Sequence, residues 1–341
     1  MSPIALALDR LSTEIATLSG RLGRRVAIPE LGVTDRARLP RLKEPGLVSP
    51  NGACRLVRVT DGWIAVNLAR EEDRELVPAW LGCDFDVDPW AAIDIHAPGK
   101  AWRALIADAE TLGLPAAGLG EVVHNILEAP SPRMSAGRAF PDRQLRVVDL
   151  SALWAGPLCG AVLAAAGCAV IKVESTRRLD PTRASTPELF RRLNAAKSEM
   201  PLDLATNDGR ARLKDAILGA DAVITSARPR GLASLGLSCD EVFAARPGLV
   251  WVAISGYGWT GVQANRVAFG DDAAAAGGLV RWTASGAPRF LGDALADPVT
   301  GLAAAAGALK AIMDGGGVLV DAALADSAAG AAVVCGFRSA A

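Results

Sequence analysis

From residue 3 to residue 22 the apolar positions Ile4, Leu8, Leu11, Ile15, Leu18 and Leu22 recur alternately four and three apart, with Asp9, Arg10, Glu14 and Arg21 between them. That spacing predicts one amphipathic helix packed on its own domain, because it aligns the apolar side chains on one face. The same spacing is a heptad seam, but it is too short for a coiled coil. Residues 24–50 are rich in Arg, Pro and Gly and predict irregular chain. The period then changes. Residues 54–59 and 63–68 flank Thr60-Asp61-Gly62, which predicts a β-hairpin. Helices are expected near 72–81, 88–94 and 99–112, and an extended turn at 114–118. Pro130, Pro132 and Pro141 stand among small and charged residues and mark 125–144 as a linker.

Beyond the linker, short apolar runs at 146–150, 169–173, 222–225, 249–254 and 318–320 predict buried strands. Helical patterns at 158–166, 186–195, 207–218 and 239–245 sit among them. Strands alternating with helices predict an α/β fold, a Rossmann-like parallel sheet with helices on both faces, beside a smaller α+β domain. The boundaries read 1–124 for the N-terminal helix and small domain, 125–144 for the linker and 145–341 for the large domain. Ligands of such sheets bind beyond the C-terminal strand ends. Segments 151–157, 225–231 and 255–261 occupy those ends.

Charge narrows the function. The 341 residues hold 36 Lys+Arg against 37 Asp+Glu, so a basic surface for nucleic acid or acidic membrane is not expected. Six scattered cysteines, without a C-x-x-C pair, and two histidines predict reduced thiols in a cytoplasm and no zinc site. The apolar stretches 302–313 and 322–337 are too short and interrupted to span a bilayer, and the N-terminus shows no signal-peptide pattern.

The stretch 292–309 begins as a loop with two carboxylates and becomes an apolar helix. Asp297 directly precedes Pro298, a helix-start signature that fits a capping residue. It also fits a carboxylate pre-positioned as nucleophile or base, and the pattern leaves both readings open. Asp271-Asp272 precedes a run of alanines and fits either a cap or a second carboxylate near the site. Gly256-Tyr257-Gly258-Trp259-Thr260-Gly261 matches G-x-G-x-x-G, but no apolar helix pattern follows and the strand before it is late in the sheet. Nicotinamide or flavin binding is therefore not expected. Arg177, Arg178, Arg183, Arg228 and Arg230 lie in loops after strands, where guanidinium groups either hold phosphates or are simply solvated. His96 and His124 have no metal-like or triad-like neighbours and predict surface or packed roles.

Several short motifs together resemble family III CoA-transferases, a group that includes formyl-CoA and carnitine CoA-transferases and α-methylacyl-CoA racemases. In order they are Val147-Val148-Asp149-Leu150-Ser151 with Ala155-Gly156-Pro157, then Gly167-Cys168-Ala169-Val170-Ile171-Lys172-Val173-Glu174 and Asp180-Pro181-Thr182-Arg183. Leu193-Asn194 with Lys197, Leu202-Asp203-Leu204, Gly236-Leu237, Ser255-Gly256-Tyr257-Gly258 and Ala296-Asp297 with Gly301 complete the match, over about 145–330.

The resemblance implies that Asp297 attacks an acyl-CoA thioester and passes through an anhydride and an aspartyl-CoA thioester. It implies coenzyme A contacts at Ser151, Leu153, Trp154, Ala155, Lys172, Arg177, Arg183, Leu202, Ser226, Arg228 and Arg230. On the substrate side it points to Tyr257, Gly258, Phe269, Asp271 and Asp272. Coenzyme A would enter as part of the acyl-CoA substrate, with a carboxylic acid as acceptor, no metal and a homodimeric assembly. Residues 46–122 resemble the family's small domain, which normally follows the large one; here it comes first. The usual C-terminal return segment is not recognisable, and Gly270-Asp271-Asp272 stands where racemases carry Gly-His-Asp. The alternatives are a 2-methylacyl-CoA racemase using Asp297 as one base, and a non-catalytic acyl-CoA-binding homologue.

Overall fold

The computed structural model describes residues 2–36, 42–123, 127–129, 131–135 and 143–337. The first part holds α1 (Ala5–Arg21), the single turn α2 (Ile28–Leu31), the hairpin β1 (Cys54–Val59) and β2 (Gly62–Asn67), helices α3 (Glu71–Glu75), α4 (Val77–Leu81), α5 (Pro89–His96) and α6 (Trp102–Leu112), and β3 (Ala116–Gly118). The expected extended turn is thus a third strand, antiparallel to β2. Its sheet packs on α4–α6 around Ile64, Val66, Leu68, Trp80, Ile93 and Leu105, all buried.

The second part runs β4 (Arg146–Leu150), α7 (Ala155–Ala165), β5 (Ala169–Ser175), α8 (Thr182–Ser185), α9 (Pro187–Asn194), β6 (Ser198–Leu202), α10 (Asn207–Leu218), β7 (Ala222–Thr225), α11 (Pro229–Ser234), α12 (Cys239–Ala245) and β8 (Val250–Ser255). It continues through α13 (Gly270–Ala276), the small hairpin β9 (Val280–Trp282) and β10 (Pro288–Phe290), α14 (Ala296–Met313), β11 (Val318–Ala323) and α15 (Leu324–Val334). The parallel sheet has the order β11-β8-β7-β4-β5-β6. Strand order reverses between β4 and β7, the point where the crevice of an open α/β sheet takes its ligand. The Ala152 N–H reaches across it to Ser226 Oγ at 3.0 Å. Strand β6 is an addition to the sequence expectation. It is a short, mostly exposed edge strand containing Pro201, with the weakest apolar signal of the six.

Helix α1 departs from its expected place. Its buried face, Ala7, Leu11 and Ile15, joins the core of the second part and lies along α14 rather than on the small sheet. The alanine-rich surface of α14 explains this, since small side chains let its neighbours close in, α1, α7, α15 and β11 among them. Gly301 marks the tightest approach. A Cβ there would fall 2.7 Å from the Ala155 carbonyl oxygen at the start of α7. Within the 125–144 stretch, Arg133 bridges to Val318 at the sheet edge, while residues 124–126, 130 and 136–142 lie outside the described residues.

One buried ion pair ties β4 and α7 to the turn before β6. Lys197 Nζ donates to Asp149 Oδ2 at 2.7 Å, to the Pro157 carbonyl at 2.8 Å and to Asn194 Oδ1 at 2.9 Å. Both charged side chains are completely buried. Burial pushes the Asp149 carboxyl up, but Lys197 and Lys172 outweigh it and hold it below the usual carboxylate range. Lys197→Met should therefore lower stability by about 3–5 kcal/mol, because it strands a buried carboxylate. In urea unfolding, Asp149→Asn combined with Lys197→Met should recover part of that loss.

Candidate active site

Asp297 lies in the first turn of α14 and is half-buried. It does not cap its own helix: Leu295 is the N-cap residue, and no side chain caps that end. The chain turns into the helix through Ala294, a non-glycine residue with φ of +46°, and the Asp297 N–H donates back to the Ala294 carbonyl at 3.0 Å. The carboxylate instead faces the Ala155 N–H, the first of α7, which favours its charged form. Asp297 and Gly301 are one helical turn apart on the same face, so the close approach at Gly301 brings the two helix starts together. Gly270 closes the other side. A Cβ there would fall 2.1 Å from Asp297 Oδ2 and 2.7 Å from Ala294 Cβ.

Three more carboxylates share this region. Asp271 Oδ1 accepts the Ala294 N–H at 2.7 Å, which pins the turn before Asp297. Its Oδ2 accepts from Asn51 Nδ2 at 2.6 Å, and the same nitrogen reaches Asp293 Oδ1 at 2.9 Å. Asp272 accepts from the Phe269 N–H at 3.0 Å and from Asn67 Nδ2 at 2.8 Å. It thus caps α13, while Asp271 turns to the loop of Asp297, so the two residues divide the two roles their sequence left open. Asp293 receives both Nε and Nη2 of Arg36, at 2.6 and 2.7 Å.

Burial raises all three helix-start carboxyls. It pushes Asp271 up to about 6, helped by Asp293 and opposed by the Asn51 and Ala294 hydrogen bonds. It pushes Asp272 up to about 7 against the Asn67 and Phe269 bonds. It pushes Asp297 up to about 7, with Arg36 pulling down, Asp271 and Asp293 pushing up, and the Ala155 N–H pulling down. Asp297 therefore changes charge near neutrality, where a carboxyl can serve as nucleophile or proton carrier.

The loop 151–155 forms the adjoining wall. Leu153 has φ of +71°, and its N–H donates to Asp180 Oδ2 at 3.2 Å. Lys172 Nζ holds the Ser151 carbonyl at 2.9 Å and Asp180 at 3.5 Å, entirely inside the protein. Trp154 is buried and donates Nε1 to the Val33 carbonyl at 2.8 Å. Of the other expected coenzyme contacts, Arg183 is engaged by Glu174 and Glu199, Arg177 by Asp203, and Leu202 is buried at the end of β6.

Arg228 faces a different setting. Burial, then the charges of Arg230, Arg70 and Arg178, hold its guanidinium below the usual arginine range. Arg70 comes from the small sheet's side, so the arginine group spans both parts of the chain. Tyr257 donates to Glu121 at 3.3 Å and lies under Arg266, whose guanidinium is 3.7 Å from the ring centroid. Gly258 and Gly261 take left-handed backbone in a loop that opens no helix. Phe269 lies under Arg70. His96 ends α5, half-buried, and His124 lies outside the described residues. Among the described residues no group of three His, Cys, Asp or Glu side chains could hold a metal ion, and no helix is long and apolar enough to cross a membrane.

The sequence profile of CoA-transferase family III matches residues 143–334. The chain belongs to CoA-transferase family III. It is 34% identical to the succinyl-CoA–D-citramalate CoA-transferase of Chloroflexus aurantiacus, covering 53% of this chain and 48% of that one. It is 31% identical to the succinate–glutarate CoA-transferase of Agrobacterium fabrum, covering 54% and 51%. Among solved structures, a CAIB/BAIF family protein from Brucella suis superposes with a TM-score of 0.51 at 29% identity, over 58% of this chain and 56% of that one. The chain spans about half the length of the curated relatives it matches. The family match takes in Asp271, Asp293 and Asp297, but Arg36, Asn51 and Asn67 precede it.

Gly270→Ala should lower stability by about 1–3 kcal/mol through overpacking. Because the nearest obstacle to the new methyl is Asp297 itself, adding Asp297→Ala should return part of the loss. Urea unfolding of the two single variants and the double variant checks this non-additivity.

Proposed function

We propose that the protein is a CoA-transferase that moves coenzyme A from an acyl-CoA thioester to a carboxylic acid, with Asp297 as nucleophile. The observation that carries this reading is the half-buried Asp297 carboxylate, held against the first N–H of α7 and beside Arg36. An Asp297 oxygen attacks the thioester carbonyl carbon, the C–S bond breaks, and CoA leaves as thiolate with an acyl–aspartyl anhydride behind it. The thiolate then attacks the aspartyl carbonyl, releasing the acyl group as a carboxylate and leaving an aspartyl-CoA thioester. An acceptor carboxylate takes the CoA by the same two steps in reverse. No net proton is consumed, which suits a site whose carboxyls are held by hydrogen bonds rather than exchanged with water.

The crevice between the loops after β4 and β7 is the proposed seat of coenzyme A. Arg228, Arg230 and Arg178 would face its phosphates, since a cluster of like-charged guanidiniums is relieved by an anion, whereas Arg70 is already engaged by Asp73. Lys172 acts from beneath, holding the 151–155 loop. The relatives named for succinyl-CoA suggest short dicarboxylic acids as donors or acceptors. A racemase reading is less well supported, because both oxygens of Asp271 are already taken by Asn51 and Ala294 in a buried position.

Incubation with a panel of acyl-CoAs in D₂O, followed by hydroxylamine trapping and intact mass measurement, tests the assignment. A trapped adduct on the wild type that vanishes in Asp297→Ala is expected, with turnover falling roughly a thousandfold or more. Deuterium at the α-carbon without an adduct would favour the racemase, and CoA binding without either would favour the non-catalytic homologue. The protonated acid is not a nucleophile, and Asp297 sheds its proton at about 7. So kcat/KM should rise with pH through that value and fall away below it.

A further inference from the structure

Arg36 comes from the irregular segment after α2, 257 residues before its partner Asp293. Three contacts fix it. Asp293 takes its Nε and Nη2 together, and its guanidinium lies over the Trp154 ring, 4.7 Å from the centroid. That ring in turn donates Nε1 to Val33 three residues upstream, so the tryptophan holds both the side chain and the backbone that carries it. Asn51 locks the far side by bridging Asp293 and Asp271.

We propose that Arg36 is a positioning residue for the transfer reaction: held by Asp293 and Trp154 in the cluster of side chains around the turn into α14, its guanidinium supplies the positive charge that favours the attacking carboxylate of Asp297. The inference rests on the reading of Asp297 as nucleophile. Burial in a water-poor site favours the neutral acid, and Asp271 and Asp293 add like charge, so a cation is needed to retain the anion. The groups facing Asp297 from the packed elements are Arg36 of the N-terminal segment, Asp293 of the loop before α14, Asp271 of α13 and the Ala155 N–H of α7; Asp272 follows Asp271 on α13. Arg36 is the strongest favourable influence among them. Its own positive charge is opposed by burial but reinforced by the Asp293 hydrogen bonds and by the fields of Asp293, Asp297 and Asp271.

Asp293 has two effects, and they make the idea testable. It anchors Arg36, yet it also places a negative charge beside Asp297. Arg36→Gln should raise the titration midpoint of Asp297 by about 1–3 pH units, the effect expected of losing an adjacent opposite charge. Asp293→Asn should move it downward, because a like charge disappears while the asparagine oxygen still accepts from the guanidinium. Arg36→Lys keeps the charge but not the two-pronged grip on Asp293, so it should raise the midpoint less than Arg36→Gln, and it guards against a folding failure of the glutamine variant.

The titration is read by NMR of the 13Cγ-aspartate-labelled free protein, with Asp297→Asn assigning the signal. The acidic limb of kcat/KM is followed in parallel and should shift in the same directions. A residue that merely braces the loop would predict lost activity with an unmoved midpoint, or the same direction of shift in Arg36→Gln and Asp293→Asn; either result overturns the proposal. The NMR titration needs no turnover. Absence of a trapped adduct on the wild type would therefore fail the transferase reading separately, while the titration still decides what Arg36 does to Asp297.

Discussion

The Asp297 carboxylate faces the first N–H of α7, a helix other than its own, and the surrounding architecture follows from that crossed approach. Two helices can present their starts to one another only if their axes come close, and Gly301 facing the Ala155 carbonyl is what permits it. Gly270 does the same on the α13 side. The alanine content of α14 therefore serves close packing among α1, α7, α15 and β11. Larger side chains would bury more apolar area per residue, but they would move the carboxylate away from the N–H it meets.

Putting carboxylates where helices start is electrostatically sensible, since free N–H groups favour negative charge there. Putting several into one buried region is not, and the structure offsets this with neutral and cationic partners. Asn51 and Asn67 donate to Asp271, Asp293 and Asp272, and Arg36 neutralises Asp293. All three partners lie before residue 143, outside the stretch that matches the family, while the carboxylates lie inside it. The first part of the chain thus completes the second. Its hairpin packs on α13, and the Gly120 and Val122 N–H groups donate to carbonyls at the end of that helix.

The parallel sheet, its order of helices and the loops at the strand ends were legible because they rest on periodicity and on strand–helix alternation. Asp297 was legible as a helix-start residue, yet the N–H it faces was not, because sequence suggests the helix it belongs to and not the helix packed beside it. Arg36 and Asn51 gave no signal at all. They lie in a stretch rich in Arg, Pro and Gly with no period to read, and their partners are more than 200 residues away. Helix α1 was read correctly as amphipathic but set on the wrong surface, since a stripe of apolar positions says that a face is buried and not against what.

The arginines and lysines after the strands show the same limit in a form that bears on chemistry. By sequence, Lys172, Arg177, Arg183 and Arg228 are equivalent: cations at the ends of strands or in the loops that follow them. What separates them is the carboxylate within reach. Glu174 and Glu199 flank Arg183, Asp203 meets Arg177, and Asp180 and the Ser151 carbonyl take Lys172 into the interior. Arg228 instead has other arginines as its charged neighbours, and among the described residues the Asn265 carbonyl accepts from it. A guanidinium whose nearest charges are of its own sign carries an unfavourable interaction that an anionic ligand would remove. That difference makes the Arg228 group the stronger candidate for phosphate contact, and Lys172 a support for the loop that such a ligand would lie against.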